Sequence, residues 1–297
     1  MEREPDGSRE ITAELVPPEL PQSTPSAKRT PSVVVRTTFA AKTDLGMVRE
    51  NNEDKFDFME PEDPELLAAR GCVYAVADGM GGHAAGQIAA ELALKTFLKS
   101  YYTPSDRSPD EALAAAFAAA NAAVYDAASA IPGRSGMGCT LTALAVVEDR
   151  FHIAHVGDSR AYLIRNGTIR QLTQDHSWVG EQVRRGAMTA EDAEKSPFRN
   201  VITRSIGAAP SVEVELVSDA LRERDLFVLC SDGLSSMVPE DAILRTACGD
   251  LGPTFAAAQL IDEANARGGH DNITVLIVRV DSVANPQSER RPWWRRF

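Results

Sequence analysis

The sequence lacks the features that mark secreted, membrane-spanning and zinc-binding proteins. Its cysteines form no Cys-x-x-Cys pair, and three of the four lie in apolar runs; they are Cys72, Cys139, Cys230 and Cys248. Such cysteines are typical of small buried side chains in a reducing compartment. No apolar run reaches the roughly 18 residues of a membrane span, and residues 1–6 are too acidic for a secretory signal. We therefore expect a soluble, cytoplasmic protein.

The chain also lacks an excess of positive charge. With 31 Lys and Arg against 43 Asp and Glu, its formal net charge is −12, whereas binding to a phosphate backbone requires a basic surface. This balance argues against nucleic acid as a partner. A site for an anionic substrate would need positive charge supplied locally, by arginine or by a metal ion. The 297 residues, 43% of them hydrophobic, suffice for a globular enzyme.

Both ends of the chain differ in composition from the middle. Residues 1–34 are rich in proline, serine, threonine and glutamate without periodicity, which predicts a disordered segment. Residues 282–297 end in arginines, tryptophans and a phenylalanine, a mixture that suits an anionic membrane surface or a partner. They are too short to anchor the chain alone, so we favour a frayed tail. Residues 35–281 then form one folded domain.

Apolar periodicity predicts two consecutive helices early in this domain. The first covers residues 84–101. The second begins with Ser108 as N-cap, Pro109 at the first helical position and Glu111 completing a capping box. It continues through an alanine-rich run to about Ala130.

The pattern then changes to alternating apolar residues, which indicates strands. Asn166-Gly167 is a strong hairpin signal because both central turn residues need positive φ, and consecutive hairpins imply antiparallel pairing. Residues 175–200 are polar and irregular, as in a lid or binding loop, with a short helix near 189–194. The expected strands are residues 33–40, 55–58, 72–77, 140–144, 151–153, 161–164, 169–172, 226–230 and 273–278, and two further helices cover about 239–248 and 253–266.

Four aspartates stand at the ends of these strands. Asp78 and Asp232 each follow a strand and precede glycine, Asp158 lies in a glycine-flanked turn, and Asp271 comes just before a strand. One Asp-Gly is usually a turn, and scattered turn aspartates remain the alternative, but four at strand ends can converge on one rim. Because like charges repel and lose solvation there, we expect a compensating divalent cation. Oxygen ligands favour Mg²⁺ or Mn²⁺ over zinc.

Five motifs, in one order along residues 37–280, carry a family resemblance. They are G-x-x-R-x-x-N-E-D (46–54), V-A-D-G-M-G-G-H (76–83), V-G-D-S-R (156–160), C-S-D-G-L (230–234) and D-N-I-T (271–274). Together they resemble the metal-dependent PPM protein phosphatases, the type 2C serine/threonine phosphatases in their bacterial form. The resemblance implies an α+β fold: a four-layer α-β-β-α sandwich of two antiparallel sheets flanked by helices, with the metal site at one end.

The resemblance also implies the metal ligands. Asp78 resembles the ligand that bridges two metal ions, and the Gly79 carbonyl resembles a ligand of one of them. Asp232 and Asp271 resemble ligands of the second ion. Asp158, together with Asp232, resembles the ligand set of a third ion.

Four further residues match positions around these ligands. Arg49 matches the arginine that holds the substrate phosphate. Glu53 and Asp54 match acids that act largely through metal-bound water. We expect Asp54 to belong to the metal-binding residues, and Glu53 and Asn272 to lie just outside them. For His83 two roles stay open: general acid towards the leaving oxygen, or a helix-start histidine that contacts solvent or a ligand aspartate.

Other histidines and one loop adjoin the motifs. His176 and His270 have no role that the residues indicate. Residues 175–200 resemble the family's flap, which would help to select phosphoprotein substrates, and are called the flap below.

The implied activity is metal-dependent hydrolysis of phosphoserine and phosphothreonine in proteins by attack of a metal-bridging water. At least two Mg²⁺ or Mn²⁺ ions would take part. The implied partners are phosphoproteins and a serine/threonine kinase whose signalling the enzyme, as a monomer, would reverse. One rival is a phosphatase dedicated to a single regulator, such as an anti-sigma-factor antagonist. Another is a pseudophosphatase that only binds phosphoproteins. Such a protein should have lost one or more of the ligand aspartates, whereas this chain has them all.

Overall fold

The computed structural model describes residues 31–82, 84–130, 134 and 136–284. Most of the expected N-terminal segment and of the expected tail lies outside these residues, as does His83. Val34 and Ala284 are partners in one strand pair. The sheet therefore extends slightly past both domain boundaries expected from composition.

The described residues form twelve strands and eight helices. The strands are β1 (Val34–Asp44), β2 (Lys55–Met59), β3 (Cys72–Ala77), β4 (Gly79–Met80), β5 (Gly138–Cys139), β6 (Leu141–Val147), β7 (Arg150–Val156), β8 (Arg160–Arg165), β9 (Thr168–Gln171), β10 (Glu215–Ala220), β11 (Leu226–Cys230) and β12 (Ile273–Ala284). The helices are α1 (Pro64–Arg70), α2 (Ala84–Tyr101), α3 (Pro109–Ala130), α4 (Trp178–Arg184), α5 (Ala190–Lys195), α6 (Asp232–Ser235), α7 (Glu240–Ala247) and α8 (Gly252–Ala266).

Ten of the described strands build two five-stranded sheets. One sheet has the order β1-β12-β11-β8-β9, and the other has the order β10-β7-β6-β3-β2. Their strand pairs are antiparallel, as the hairpin signals predicted. The turn between β8 and β9 falls at Asn166 and Gly167, whose φ angles of 53° and 74° are those that a tight hairpin requires.

Side chains alternate along the strands and so serve two apolar layers at once. On β3, Tyr74 faces the space between the sheets, whereas Ala75 faces the helices. Phe151 of β7 and Phe227 of β11 meet edge-on between the sheets, with ring centroids 5.0 Å apart. Helices α2 and α3 cover the outer face of one sheet, and α7 and α8 cover that of the other. This is the predicted α-β-β-α sandwich.

The two early helices lie where the sequence predicted them. The Ser108 N–H donates to the Glu111 carboxylate at 2.9 Å, which completes the capping box of α3. Elements α1, α4, α6, β4, β5 and β10 were not predicted. Strand β10 is largely exposed and exists as a strand because its backbone pairs with β7. Among the described residues no helix is long and apolar enough to cross a membrane.

The four cysteines are free thiols within the described structure. Cys139 and Cys230 are buried and Cys72 is half-buried, as expected from their apolar runs. Cys248 is exposed, contrary to expectation, because it caps the C-terminal end of α7 at the surface.

Replacing Phe227 with alanine should destabilise the domain by about 3–5 kcal/mol, because it removes a fully buried ring and leaves a cavity between the sheets. The midpoint of a urea unfolding curve should fall accordingly. Phe255→Ala removes a ring of α8 that is 61% exposed and should change the free energy of unfolding by less than about 0.5 kcal/mol. Equal losses in the two variants would contradict the inter-sheet core.

Candidate metal centre

The predicted aspartates collect at one end of the sandwich because of how the strands pair. Lys55 at the start of β2 pairs with Ala77 at the end of β3, so the flanking residues Asp54 and Asp78 lie side by side. Antiparallel neighbours bring the end of one strand to the start of the next. The two acids, 24 positions apart in the chain, thus lie at the same end of their sheet.

The other sheet contributes three aspartates in the same way. Cys230 at the end of β11 pairs with Arg160 at the start of β8. On its other side Cys230 pairs with Val275, near the start of β12. Asp232, Asp158 and Asp271 flank these strand ends. The two sheets present their acids to a common space, since the charges of all the other predicted aspartates act on Asp78.

Crowding in this space changes the acidity of the carboxyl groups. Burial, followed by repulsion from the neighbouring carboxylates, raises the pKa of Asp78 well above its ordinary value. Burial is also the main cause that raises the pKa of Asp54 to about 7, of Asp158 to about 8 and of Asp232 to about 6. Near neutral pH the folded chain therefore holds carboxylates whose negative charge is poorly solvated.

A serine anchors Asp54, the most buried of these acids. The Ser231 hydroxyl donates to Asp54 Oδ2 at 2.7 Å, and its oxygen accepts the Thr274 N–H at 2.9 Å. The Ser231 N–H in turn donates to the Thr274 carbonyl at 3.1 Å. Because Ser231 directly precedes Asp232, these bonds fix Asp54 and Asp232 relative to each other.

A threonine joins the loops of Asp78 and Asp158. The Thr140 hydroxyl oxygen accepts the Asp78 N–H at 2.9 Å, and the Thr140 N–H donates to the Asp78 carbonyl at 2.8 Å. The same hydroxyl lies 2.7 Å from the Ser159 hydroxyl. Since Ser159 follows Asp158, one buried side chain sets the positions of both acids.

Two glycines let the backbone and a glutamate approach the acids. A Cβ on Gly79 would lie 2.3 Å from the Gly86 carbonyl oxygen and 2.8 Å from that of Glu53. A Cβ on Gly86 would lie 2.8 Å from the Gly79 carbonyl carbon and 1.8 Å from the Glu53 Oε2. Both positions thus exclude any side chain, and α2 packs directly against the turn that follows Asp78.

Asp271 and Arg49 lie at the mouth of the site. Arg49 Nη2 donates to Asp271 Oδ2 at 2.6 Å, while the arginine side chain stays 52% exposed. Asn272 supports this corner: its Oδ1 accepts the Glu53 N–H, and its Nδ2 donates to the carbonyls of Leu45 and Asn51, each at 2.9 Å. Arg49 is therefore oriented over the acids with donors left for an anion.

The donors present fit divalent cations of the Mg²⁺ class. Asp232 Oδ1 is buried and accepts no hydrogen bond from the described residues, a costly state for a carboxylate oxygen unless it binds a cation. The carboxyl groups of Asp78 and Asp271 act on Asp232 from nearby. Hard ions with oxygen ligands, such as Mg²⁺ and Mn²⁺, prefer this donor set.

The structure brings the predicted metal-binding residues together with Arg49, Glu53 and Asn272. His83 lies outside the described residues, so its role stays a prediction. Sequence reasoning missed the hydroxyl groups that hold the acids: Ser159 and Ser231 stand next to predicted aspartates inside the quoted motifs, which was an available signal. Thr140 gave no such signal, because its contacts are made across strands.

Comparison with known proteins agrees with this geometry. Residues 45–182 match the family described as Protein phosphatase 2C. The serine/threonine phosphatase stp of Listeria welshimeri is 37% identical over 241 residues, which cover 80% of this chain and 93% of that protein.

Two solved structures resemble the chain over most of its length. The serine/threonine phosphatase Stp1 from Staphylococcus aureus has a TM-score of 0.76 and 30% identity, and the match covers 86% of this chain and 99% of that one. The catalytic domain of PstP in complex with two manganese ions has a TM-score of 0.73 and 34% identity, over 84% of this chain and 100% of that one. The resemblance seen in the five motifs is confirmed, and the chain belongs to the protein phosphatase 2C family.

Proposed function

We propose that this protein is a Mg²⁺- or Mn²⁺-dependent phosphatase that hydrolyses phosphoserine and phosphothreonine in proteins. The observation that carries the proposal is the group of recessed aspartates with raised pKa values at one end of the sandwich. Such a group is unfavourable by itself and becomes favourable when it binds divalent cations. The relatives of this chain that are named as serine/threonine phosphatases support the same reaction.

The assignment of ligands follows the sequence expectation. Asp78 would be shared by two ions, and the Gly79 carbonyl would bind one of them. Asp232 and Asp271 would complete the second. Asp158 with Asp232 would hold a third. When bound, the ions would supply a nucleophile from water at neutral pH and would offset charge on the phosphoryl oxygens. The buried Oδ1 of Asp232 supports its place in this set.

The other side chains of the site would position these groups and the substrate. Asp54, held by Ser231, would orient water next to the ions, and Glu53 and Asn272 would support the same corner. Arg49 would hold the substrate phosphate, since a guanidinium binds phosphate oxygens with paired donors. We leave His83 as a candidate general acid.

The cellular role is inferred from this chemistry. Phosphoproteins are the substrate class, and we propose that a serine/threonine kinase produces them and that the enzyme acts in the cytoplasm as a monomer. Buried free thiols such as Cys139 and Cys230 support a reducing compartment.

Phosphate release from a phosphothreonine peptide tests the proposal. It should require Mn²⁺ or Mg²⁺ and stop with a chelator. Asp232→Asn should lower the rate by more than about a hundredfold, because replacing residues that merely support metal ligands already costs 10–100-fold. Asp219→Asn, which changes an exposed carboxylate of β10, is the matched control and should keep full activity.

Two outcomes of that assay would decide against the proposal. Activity that survives both chelation and Asp232→Asn would contradict the metal mechanism. Peptide binding without any phosphate release would support the binding-only alternative.

Arg49→Ala, assayed at saturating Mn²⁺, should raise KM for the phosphopeptide and weaken inhibition by inorganic phosphate. A charge-assisted hydrogen bond contributes about 1.5–3 kcal/mol, so we expect a change of about ten- to a hundredfold. Arg49→Lys should recover part of the loss, because it keeps the charge but not the paired donors. Arg36→Ala on the exposed part of β1 is the control; an unchanged KM in Arg49→Ala would rule out the phosphate role.

The raised pKa values predict how pH affects the metal-free protein. An aspartate whose folded pKa is raised binds its proton more tightly when folded, so its contribution to stability falls as pH rises from about 4 to the raised value. For these acids the loss should extend to about pH 8. Asp78→Asn should therefore raise the melting temperature of the metal-free protein at pH 8, by about 2–4 °C per kcal/mol of relieved repulsion.

The same variant should lose stabilisation by Mn²⁺, measured by thermal melting. In the wild type the Mn²⁺-induced rise in melting temperature should be larger at pH 8 than at pH 6, because the ions displace protons. A lower melting temperature of metal-free Asp78→Asn at pH 8 would show that the charge of Asp78 does not destabilise the metal-free protein.

A further inference from the structure

A second polar cluster lies beside the metal centre, where the flap begins. It consists of His155 on β7, His176 in the flap and Glu215 on β10. The two imidazole rings stack with centroids 4.8 Å apart, and both histidines are buried. No role in the reaction has been assigned to any of the three.

His176 binds both polar backbone groups of one glycine. The main-chain N–H of His176 donates to the Gly157 carbonyl at 2.7 Å, and the ring Nδ1 of His176 accepts the Gly157 N–H at 3.1 Å. Gly157 directly precedes Asp158, the acid assigned to the third ion. The position of this acid therefore depends on a residue of the flap.

The opposite side of Gly157 is closed by the threonine that orients Asp78. A Cβ on Gly157 would lie 2.5 Å from Thr140 Cγ2, and the φ of Gly157 is +118°. The glycine is thus held between Thr140 and His176. Any movement of His176 must shift the turn that carries Asp158.

The flap is attached to His176 through its main chain. The His176 carbonyl accepts the Thr203 N–H at 2.8 Å, and Trp178 N–H donates to the Val201 carbonyl at 2.8 Å. The first residues of the flap are therefore bonded to the residues that follow it. A shift of either end is transmitted to the His176 backbone.

The orientation of the imidazole ring is set by its second nitrogen. Because Nδ1 accepts a hydrogen bond, the neutral ring carries its proton on Nε2, which lies 3.5 Å from Glu215 Oε2. Arg204 Nη1 also lies 3.2 Å from this nitrogen, but two donors form no hydrogen bond with each other, so Glu215 is the acceptor on this side. The Gly157 amide at Nδ1 and the Glu215 carboxylate at Nε2 thus keep Nδ1 turned towards Gly157.

The donor types of this cluster also suit a transition-metal ion, but the contacts oppose that reading. His155 Nδ1 lies 2.8 Å from the Thr142 hydroxyl, and its Nε2 lies 3.2 Å from the Gln174 carbonyl oxygen. Both His176 nitrogens face protein groups as well. Stacked rings whose nitrogens are already hydrogen-bonded favour a positioning role.

We propose that His176 is a positioning residue that couples the flap to the Asp158 turn, through the hydrogen bond that its Nδ1 accepts from Gly157. This inference rests on the proposed function, in which Asp158 binds one of the metal ions. Loss of that bond frees the Gly157 amide and lets the Asp158 carboxylate leave its position. The affinity for the ion at Asp158 then falls, while the acids around Asp78 keep theirs.

Two amide substitutions separate the roles of the two ring nitrogens. Asn places a polar atom where His has Nδ1 and can accept the Gly157 N–H, whereas Gln reaches the position of Nε2. We expect His176→Asn to keep the Mn²⁺ concentration for half-maximal activity within about twofold of the wild type. His176→Gln and His176→Leu should raise it by about tenfold or more, the usual effect of losing a group that orients a metal ligand.

Two further measurements do not require turnover. Calorimetric titration with Mn²⁺ should show the weakest class of sites lost or weakened in His176→Gln and retained in His176→Asn. Hydrogen exchange of the segment that contains Gly157 should be faster in His176→Gln and His176→Leu. Wild-type protein that binds Mn²⁺ without releasing phosphate would refute the proposed function, yet these two measurements would still test the coupling.

His152→Leu is the control for a loss of stability alone. His152 is buried on the same strand as His155, and its Nδ1 lies 2.7 Å from Asp110 Oδ1, outside the metal centre. Its replacement should lower the melting temperature without changing Mn²⁺ affinity. Equal Mn²⁺ affinities in His176→Asn and His176→Gln, or a loss in His152→Leu as large as in His176→Leu, would overturn the proposal.

Discussion

Repulsion among carboxylates withdrawn from water is the constraint on which the rest of this structure depends. Burial, followed by repulsion from neighbouring carboxylates, raises the pKa values of Asp54, Asp78, Asp158 and Asp232. The folded chain tolerates them because Ser231 holds Asp54 and Thr140 holds the turn of Asp78, and because a divalent cation offsets their charge. Stability is thereby exchanged for a site that binds metal ions.

The sandwich supplies the rigidity that such a site requires. Antiparallel pairing brings strand ends together, and the core between the sheets, including the contact of Phe151 with Phe227, keeps those ends from moving apart. Thr140 and Ser231 then lock the acids across strands. His176 extends this arrangement to the flap, because its ring Nδ1 accepts a hydrogen bond from the Gly157 N–H next to Asp158.

Local patterns predicted the elements that carry their own signals. The capping box at Ser108 and the hairpin at Asn166-Gly167 were readable because each depends on residues only one to three positions apart. Strand β10 and helix α4 could not be predicted. The strand is largely exposed and needs β7 as a partner, and the helix, with Ser177 as its N-cap, lies within an irregular polar segment. Cys248 was expected to be buried, but it is the C-cap residue of α7 and is exposed.

The sequence by itself predicted which acids and which arginine would make up the site, because they stand in recognisable motifs. Only the tertiary structure decided how they are held. Thr140 and Ser159, or Gly157 and His176, are each 19 positions apart and meet only after the sheets have formed. Contacts of that range follow from strand register and packing, which no local pattern of residues encodes.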